Sequence, residues 1–514
     1  MRGRRSLPAL VTVALLLAGC GTPSPSNSAV PIPSPALTPS PAASSSVSAS
    51  ASSMASATPT PETPSATTAP LPPPTPAVVR PVSTSAVPIR DTAFRMGRGI
   101  RMAPQGDGGL YVAIPDGEDT LLVALDDKLR VRPGWPLLVK GRYCDVTAEV
   151  GDGSVRAVCG ADLLGFDRNG RPLGGWPVRL PQGVYPRADP RVIGGDLYLV
   201  AETYDEARSS ATAWIVRVSR DGTVETGTAV ATDPAEQAST VDITTNLGPD
   251  GTGYILDYVE PQPATLPPHA TIRAFDLEGL RPGWPIQFDP PSVSSPGFGR
   301  DGQVYLVQGV DDGASRLRSV DRQGRTLWTA ELPVSVSPDW SGAAAFDVPA
   351  PPATGSQGPA FVVTEPGPDK RSVVYAVDPS GEVTGRWETH VGLAWAGFCG
   401  LQSASGAGCS TGCGQVRVVP VVGDDGTLYI AQEDGSVTAV GPDGRTQGGW
   451  PVTLRRPGAA FWSLATDADA TVFALAIEWE PGATPECGYP PASATILAID
   501  PDGSVRARVT VAEP

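Results

Sequence analysis

One turn-and-strand unit recurs along this chain of 514 residues, and it constrains the fold more than any other feature. Its clearest copy runs from Leu163 to Leu180. An apolar strand, Leu163 to Phe166, runs into Asp167, whose carboxylate suits an Asx-type turn. Gly170 supplies the left-handed backbone position that closes it. A second strand leaves through Trp176-Pro177-Val178. A proline cannot donate to a ladder, so this strand belongs at the edge of its sheet. Trp176 is large enough to cover the seam to the next sheet.

Eight copies follow Asp91. Each reads as an apolar strand, a Gly/Asp turn, a strand of the Leu-Tyr-Val type, a connection of variable length, a strand ending in Asp, an Asp-x-x-Gly turn and a closing strand. The second turns begin at Asp126, Asp167, Ser219, Asp276, Asp321, Asp378, Gly441 and Asp500. Gly-Trp-Pro is intact at Trp135, Trp176, Trp284 and Trp450; Trp328 and Trp387 keep the aromatic without the proline. The units around Ser219 and Asp500 have lost both. A period of about 40 to 60 residues with four strands per unit and no helical periodicity predicts an all-β propeller. Eight blades fit, from an inner strand at 94–103 to an outer strand at 505–511. Seven blades is the alternative.

Ser319-Val-Asp321-Arg-Gln-Gly324-Arg-Thr-Leu-Trp328 and Ala274-Phe-Asp276-Leu-Glu-Gly279 resemble the PQQ-like propeller repeat. That repeat is found in outer-membrane assembly-factor lipoproteins and in quinoprotein dehydrogenases. The resemblance covers residues 93 to 511 and speaks for architecture, since unrelated activities share the repeat. In the dehydrogenases it would bring a vicinal disulfide and a calcium site. No two cysteines are adjacent here, and Cys409 and Cys413 stand four apart. Neither PQQ nor calcium is therefore expected as a cofactor.

Residues 1–19 read as a signal peptide: Arg2, Arg4 and Arg5 precede an apolar run from Leu10 to Leu17 that is too short to span a bilayer. Leu17-Ala18-Gly19-Cys20 resembles a bacterial lipobox, which implies lipid attachment at Cys20 and a place in the cell envelope. Residues 20–90 are almost all Pro, Ser, Ala and Thr, and such a stretch is expected to be a disordered linker. The propeller is expected over 91–514. A net charge of −16, with lysine only at 128, 140 and 370, argues against a nucleic-acid partner.

Six cysteines beyond Cys20 in an exported chain favour disulfides. Cys144 and Cys159 flank the turn at Asp152 symmetrically, so a hairpin sets them opposite each other. Cys399, Cys409, Cys413 and Cys487 are expected to form two bridges of unassigned pairing; a four-thiolate zinc site lacks the usual paired spacing. His269 and His390 are the only histidines, and no nucleophile is grouped with either. Asp311-Asp312, Asp424-Asp425 and Asp467-x-Asp469 match no twelve-residue calcium loop and read as solvated turns. No catalytic, cofactor or metal residue is assigned.

In a four-stranded blade both Asp/Gly turns lie on one face, and the remaining connections lie on the other. That other face takes the long insertions 202–213, 260–270, 365–371, 389–414 and 479–493, while 349–359 lengthens a turn on the tight face. Length variation on one face suggests recognition. Trp214, Trp340, Trp395, Trp462 and Trp479 read first as loop packing and second as platforms for sugar. A non-enzymatic binding or scaffolding module with an unknown protein or glycan partner is expected. The alternative is a quinone-dependent dehydrogenase or a carbohydrate-active enzyme working at the channel mouth.

Overall fold

The computed structural model describes residues 79–81 and most of 100–512; the longer stretches left out within that span are 206–209, 233–237, 262–268, 333–351, 365–370, 396–414, 455–458 and 479–492. Every regular element among the described residues is a strand. They form eight antiparallel blades in the arrangement of a β-propeller. The second blade shows the plan: Asp145–Ala148, Val155–Cys159, Asp162–Phe166 and Val178–Arg179 pair in chain order from the channel to the rim. The eighth blade, from Ala459–Thr466 to Val505–Ala512, supplies all four of its own strands. The ring therefore closes by packing, with no strand borrowed.

Eight apolar clusters hold the ring, one at each seam. The first blade meets the second through Tyr111, Trp135, Val155 and Leu164. The clusters continue around the ring. The last joins Leu110, Val112 and Leu125 of the first blade to Phe473, Leu475 and Ile496 of the eighth. Strand residues of both middle strands are buried on both faces, which explains their near-continuous apolar runs.

The repeated motif is a seam lock. The indole N–H of Trp135 donates to the Arg168 carbonyl at 3.0 Å, that of Trp176 to Arg220 at 3.0 Å, and that of Trp284 to Arg322 at 3.2 Å. Trp328 reaches Pro379 at 2.7 Å and Trp450 reaches Pro501 at 3.0 Å. Each acceptor is the second residue of the following blade's Asp-x-x-Gly turn. The third blade has no such tryptophan, and there the Thr228 amide donates to Leu277, the equivalent carbonyl, at 2.9 Å. The motif glycine is fixed by the same approach: a Cβ on Gly175 would lie 1.7 Å from the Asp221 carbonyl oxygen.

Two expectations need correction. Residues 79–81, read as linker, form a strand on the outer edge of the first blade, pairing Val79 with Val139 and Pro81 with Leu137. Val78-Val79 is an apolar, β-branched island in the Pro/Ser/Ala/Thr tract, and Pro81 is tolerable because the strand is outermost. The segment 349–359 does not simply lengthen a turn: Ala353 bridges to Phe361 on the channel side of the sixth blade.

Candidate functional site

The two faces of the ring differ in how much of their polar surface is already committed. On the tight face the turns repeat one geometry. The amides of Asp167, Ser219, Asp321, Asp378, Gly441 and Asp500 each donate to the carbonyl four residues on, at 2.9–3.0 Å. Carboxylates tie neighbouring blades together there. Asp107 is bracketed by Arg132, at 3.1 Å, and by Arg168 of the second blade. Asp250 is bracketed in the same way by Arg281, at 3.9 Å, and by Arg322 of the fifth, at 3.4 Å.

The opposite face carries connections of unequal length. Gly160-Ala161 joins the middle strands of the second blade, whereas residues 479–492 join those of the eighth. Some of the expected loop length is strand: 202–213 is a hairpin paired out to Asp205 and Ser210. Part of 389–414 belongs to a second hairpin, in which Leu393–Trp395 pairs with Gln415–Arg417. His269 opens a strand rather than sitting in a loop, and His390 follows one and is exposed.

The inner strands of the first three blades carry charged groups along the channel. Arg101 begins the innermost strand of the first blade. Tyr143 and Asp145 lie at the start of the second blade's inner strand; in the third blade Asp189 follows the inner pair Tyr185–Pro186, and Arg191 begins the stretch Arg191–Ile193 that runs into the tight Gly194-Gly195 turn. Arg101 Nε lies 3.0 Å from Asp145 Oδ1 and donates to the Tyr143 hydroxyl at 3.3 Å. Arg191 Nε donates to the Leu247 carbonyl at 2.9 Å. Burial works against the Arg101 charge, but Tyr143, Asp145 and Asp189 outweigh it and raise its pKa. Burial raises Asp145 above the ordinary carboxylate value, against the pull of Arg101 and with the push of Asp189. Burial lowers Arg191, opposed by Asp189.

The link that carries Tyr143 is held at several points. A disulfide joins Cys144 to Cys159 across the hairpin, with Cα atoms 4.1 Å apart. Thr120 Oγ1 donates to the Arg142 carbonyl at 2.8 Å and accepts from the Cys144 amide at 3.2 Å. The Gly141 amide donates to Asp119 at 2.7 Å. Arg142 and Arg179 both pair with the buried Asp162 carboxylate, at 3.2 and 3.0 Å. Sequence reading missed this group. Its signal was positional: Arg101 and Asp145 pair with corresponding residues of the next strand, Ala113 and Val158, in two successive units.

A second charged pair is fully enclosed. Arg273 and Asp257, on the middle strands of the fourth blade, form an ion pair with 4% and 3% side-chain exposure. Asp425 and Asp467 cap their own turns, accepting from the amides of Thr427 and Thr471. Among the described residues no three His, Cys, Asp or Glu side chains converge as a metal site would require. Trp214 packs against the seam of blades two and three, and Trp462 against the two seams that flank the eighth blade. Cys20, Asp311, Asp312, Trp340, Cys399, Cys409, Cys413, Trp479 and Cys487 lie outside the described residues, as do residues 1–72 with the signal peptide.

No protein-family model and no curated protein matches this sequence. Among solved structures, a quinonprotein alcohol dehydrogenase-like protein from Bacteroides thetaiotaomicron is similar at 11% identity and a TM-score of 0.36, over 79% of this chain and 83% of that one. An acylaminoacyl peptidase from Pyrococcus horikoshii is similar at 8% identity and a TM-score of 0.38, over 82% of this chain and 54% of that one, so this chain spans about half of it. Likeness at these values assigns neither activity nor substrate to this chain, and what stands is an eight-bladed propeller with five of its seams locked by a tryptophan N–H.

Proposed function

We propose that this chain is a lipid-anchored envelope protein whose propeller acts as a non-enzymatic binding or scaffolding module through the face opposite its Asp/Gly turns. One observation carries the reading. The tight-turn face repeats a single closed geometry and commits its carbonyls and carboxylates to the seams, while the connections of the other face run from two residues to the stretch 479–492. A rigid ring with free loop length on one side is suited to recognition. Cys20, following Leu17-Ala18-Gly19, supports the anchor.

Site-specific photo-crosslinking in the full chain tests the face. Probes at Lys140 and Arg371 sit on the proposed binding side, and probes at Lys128 and Gln323 sit on the tight turns; all four positions are exposed. Envelope partners captured from the first pair but not the second support the proposal. Capture from the turns alone, or substrate turnover by the purified protein, removes it. A Cys20→Ser chain that still sediments with membranes removes the anchor.

A further inference from the structure

We propose that the ring is built as two rigid bodies, blades one to six and blades seven and eight, which slide against each other at the two seams between them and so change the width of the channel. The division follows from where polar bonds cross from blade to blade. Within the larger body every seam carries a second hydrogen bond beside its tryptophan or Thr228 lock. The Tyr111 hydroxyl donates to the Gly153 carbonyl, Arg156 to Gly195 and Arg191 to Leu247. The Tyr258 hydroxyl donates to Val293, and the Phe298 amide donates to the Thr354 hydroxyl at 3.0 Å. The seam between blades seven and eight has such a pair as well, from Trp450 to Pro501 and from the Tyr429 hydroxyl to Ala470.

The two remaining seams bracket that pair of blades and differ from the rest. Among the described residues no hydrogen bond or ion pair joins blade six to blade seven, or blade eight to blade one. At the first of these seams Phe361 stands where other blades have tyrosine, and the Trp387 indole N–H reaches no acceptor. At the second, Phe473 takes the tyrosine place and has no hydroxyl to offer the Gly108 carbonyl. Ala507, opposite Ala498, takes the register place that Trp328 holds opposite Ser319. Arg506 comes beside Gly108, where a Cβ would lie 3.4 Å from its Nη2, but it pairs with Asp500 of its own blade at 3.0 Å. What holds both seams is apolar: Phe361, Val374 and Ile430 at one, Leu110, Leu129 and Phe473 at the other.

Hydrogen bonds are directional and fix a register, whereas apolar contact is non-directional and follows the area covered, so a small slide costs it little. A ring loose at one seam can only part there. A ring loose at two holds a pair of blades that can shift as a body, a shear between packed faces.

Distances between spin labels, carried on noncanonical amino acids in the full chain, test the division. The third residues of the second turns are equivalent and exposed. Pairs at Ser380 and Asp443, and at Lys128 and Asp502, cross the apolar seams; pairs at Asn169 and Asp221, and at Asp443 and Asp502, cross locked ones. Asp443 and Asp502 serve in both sets, which separates movement of a turn from movement of a blade. The distance distributions across the apolar seams should be at least about twice as wide as those across the locked seams. Equal widths at all four, or the greatest width at a locked seam, overturns the proposal. Phe361→Tyr with Phe473→Tyr offers hydroxyls to the Gly426 and Gly108 carbonyls and should narrow both wide distributions. Unchanged widths in the folded double variant also overturn it, and the parent widths decide alone if that variant does not fold.

Discussion

The guanidinium carbon of Arg156 lies 5.1 Å from the centre of the Trp176 indole, where other blades place an aromatic ring against the equivalent tryptophan. Arg156 is fully buried, and its Nη2 donates to the Gly195 carbonyl at 3.2 Å. The hydroxyls of Tyr111 and Tyr429 reach the matching carbonyls of their next blades, Gly153 at 2.6 Å and Ala470 at 3.4 Å. Arginine thus does the work of tyrosine in one blade, with a cation–π contact replacing the ring pair. Arg156→Tyr should restore both contacts and stay within about 1 kcal/mol of the parent, whereas Arg156→Ala should cost about 3 kcal/mol or more from the cavity and the lost donors. Urea unfolding of the two variants checks this; equal losses would refute it.

The seam locks make a matched comparison. Trp176 donates to Arg220, while the indole N–H of Trp387 finds no acceptor among the described residues. Replacing either by phenylalanine keeps most of the apolar packing. Trp176→Phe also leaves a carbonyl without its donor, so it should lose about 1 kcal/mol more than Trp387→Phe. Thermal melts of the two proteins give the difference directly.

The left-handed position of the opening turn is glycine in seven blades and Ala470 in the eighth, with φ of 59°. Alanine there carries a strain that glycine does not. Ala470→Gly should therefore stabilise the protein by about 0.5–1 kcal/mol, after the entropic cost of glycine in the unfolded chain. Leu129 occupies the matching position of the first blade's second turn, with φ of 55°. Its side chain is buried in the seam of blades one and eight, so Leu129→Gly should destabilise instead. Opposite signs at two similar backbone positions form the test.

How much of this was legible in the sequence follows from what repeats. The Asp-x-x-Gly turns and Gly-Trp-Pro segments recur because each blade meets the next in the same way, and so the blade number and the tight face could be read. The small residue two positions before the second turn, as at Ala124, Ala274, Ala376 and Ala439, was not noticed, although it recurs in seven units and, where a Tyr or Phe ring faces the closing-strand tryptophan, lets the two rings touch. The charged group of the inner strands was missed because corresponding positions carry different side chains, Arg101 in one unit and Asp145 in the next, so no residue type repeats. The rim strand was missed because three residues inside a Pro/Ser/Ala/Thr tract carry almost no periodic signal.

That rim strand yields its own test. Val79–Pro81 covers the outer edge of the first blade at Leu137–Val139. Deleting residues 73–81 exposes that edge to water. Amides of 137–139 should then exchange with solvent markedly faster, while those of the innermost strands stay protected. Unchanged exchange at 137–139 would mean that the strand does not hold in solution.

Acid should loosen the turns before it reaches the cores. Burial raises the pKa of Asp321, but the hydrogen bonds from Arg325 and Gln323 outweigh it and hold the carboxyl below its ordinary value; for Asp378 the Ser380 hydroxyl is the largest cause of the same shift. A folded-state pKa below the unfolded one gives stability that is present above about pH 4 and lost as pH falls through the folded value. Asp467 runs the other way, because its burial raises its pKa and protonation favours the folded form. The turn aspartates outnumber it, so the net slope should be a loss of stability below about pH 4. Asp321→Asn removes the charge that Arg325 and the turn amides recognise. It should lower stability by about 1 kcal/mol at pH 7 and by progressively less as the parent's own carboxyl is protonated. Urea midpoints from pH 7 to pH 3 would show the two curves converging; parallel curves would mean that the ionised carboxylate contributes nothing to the turn.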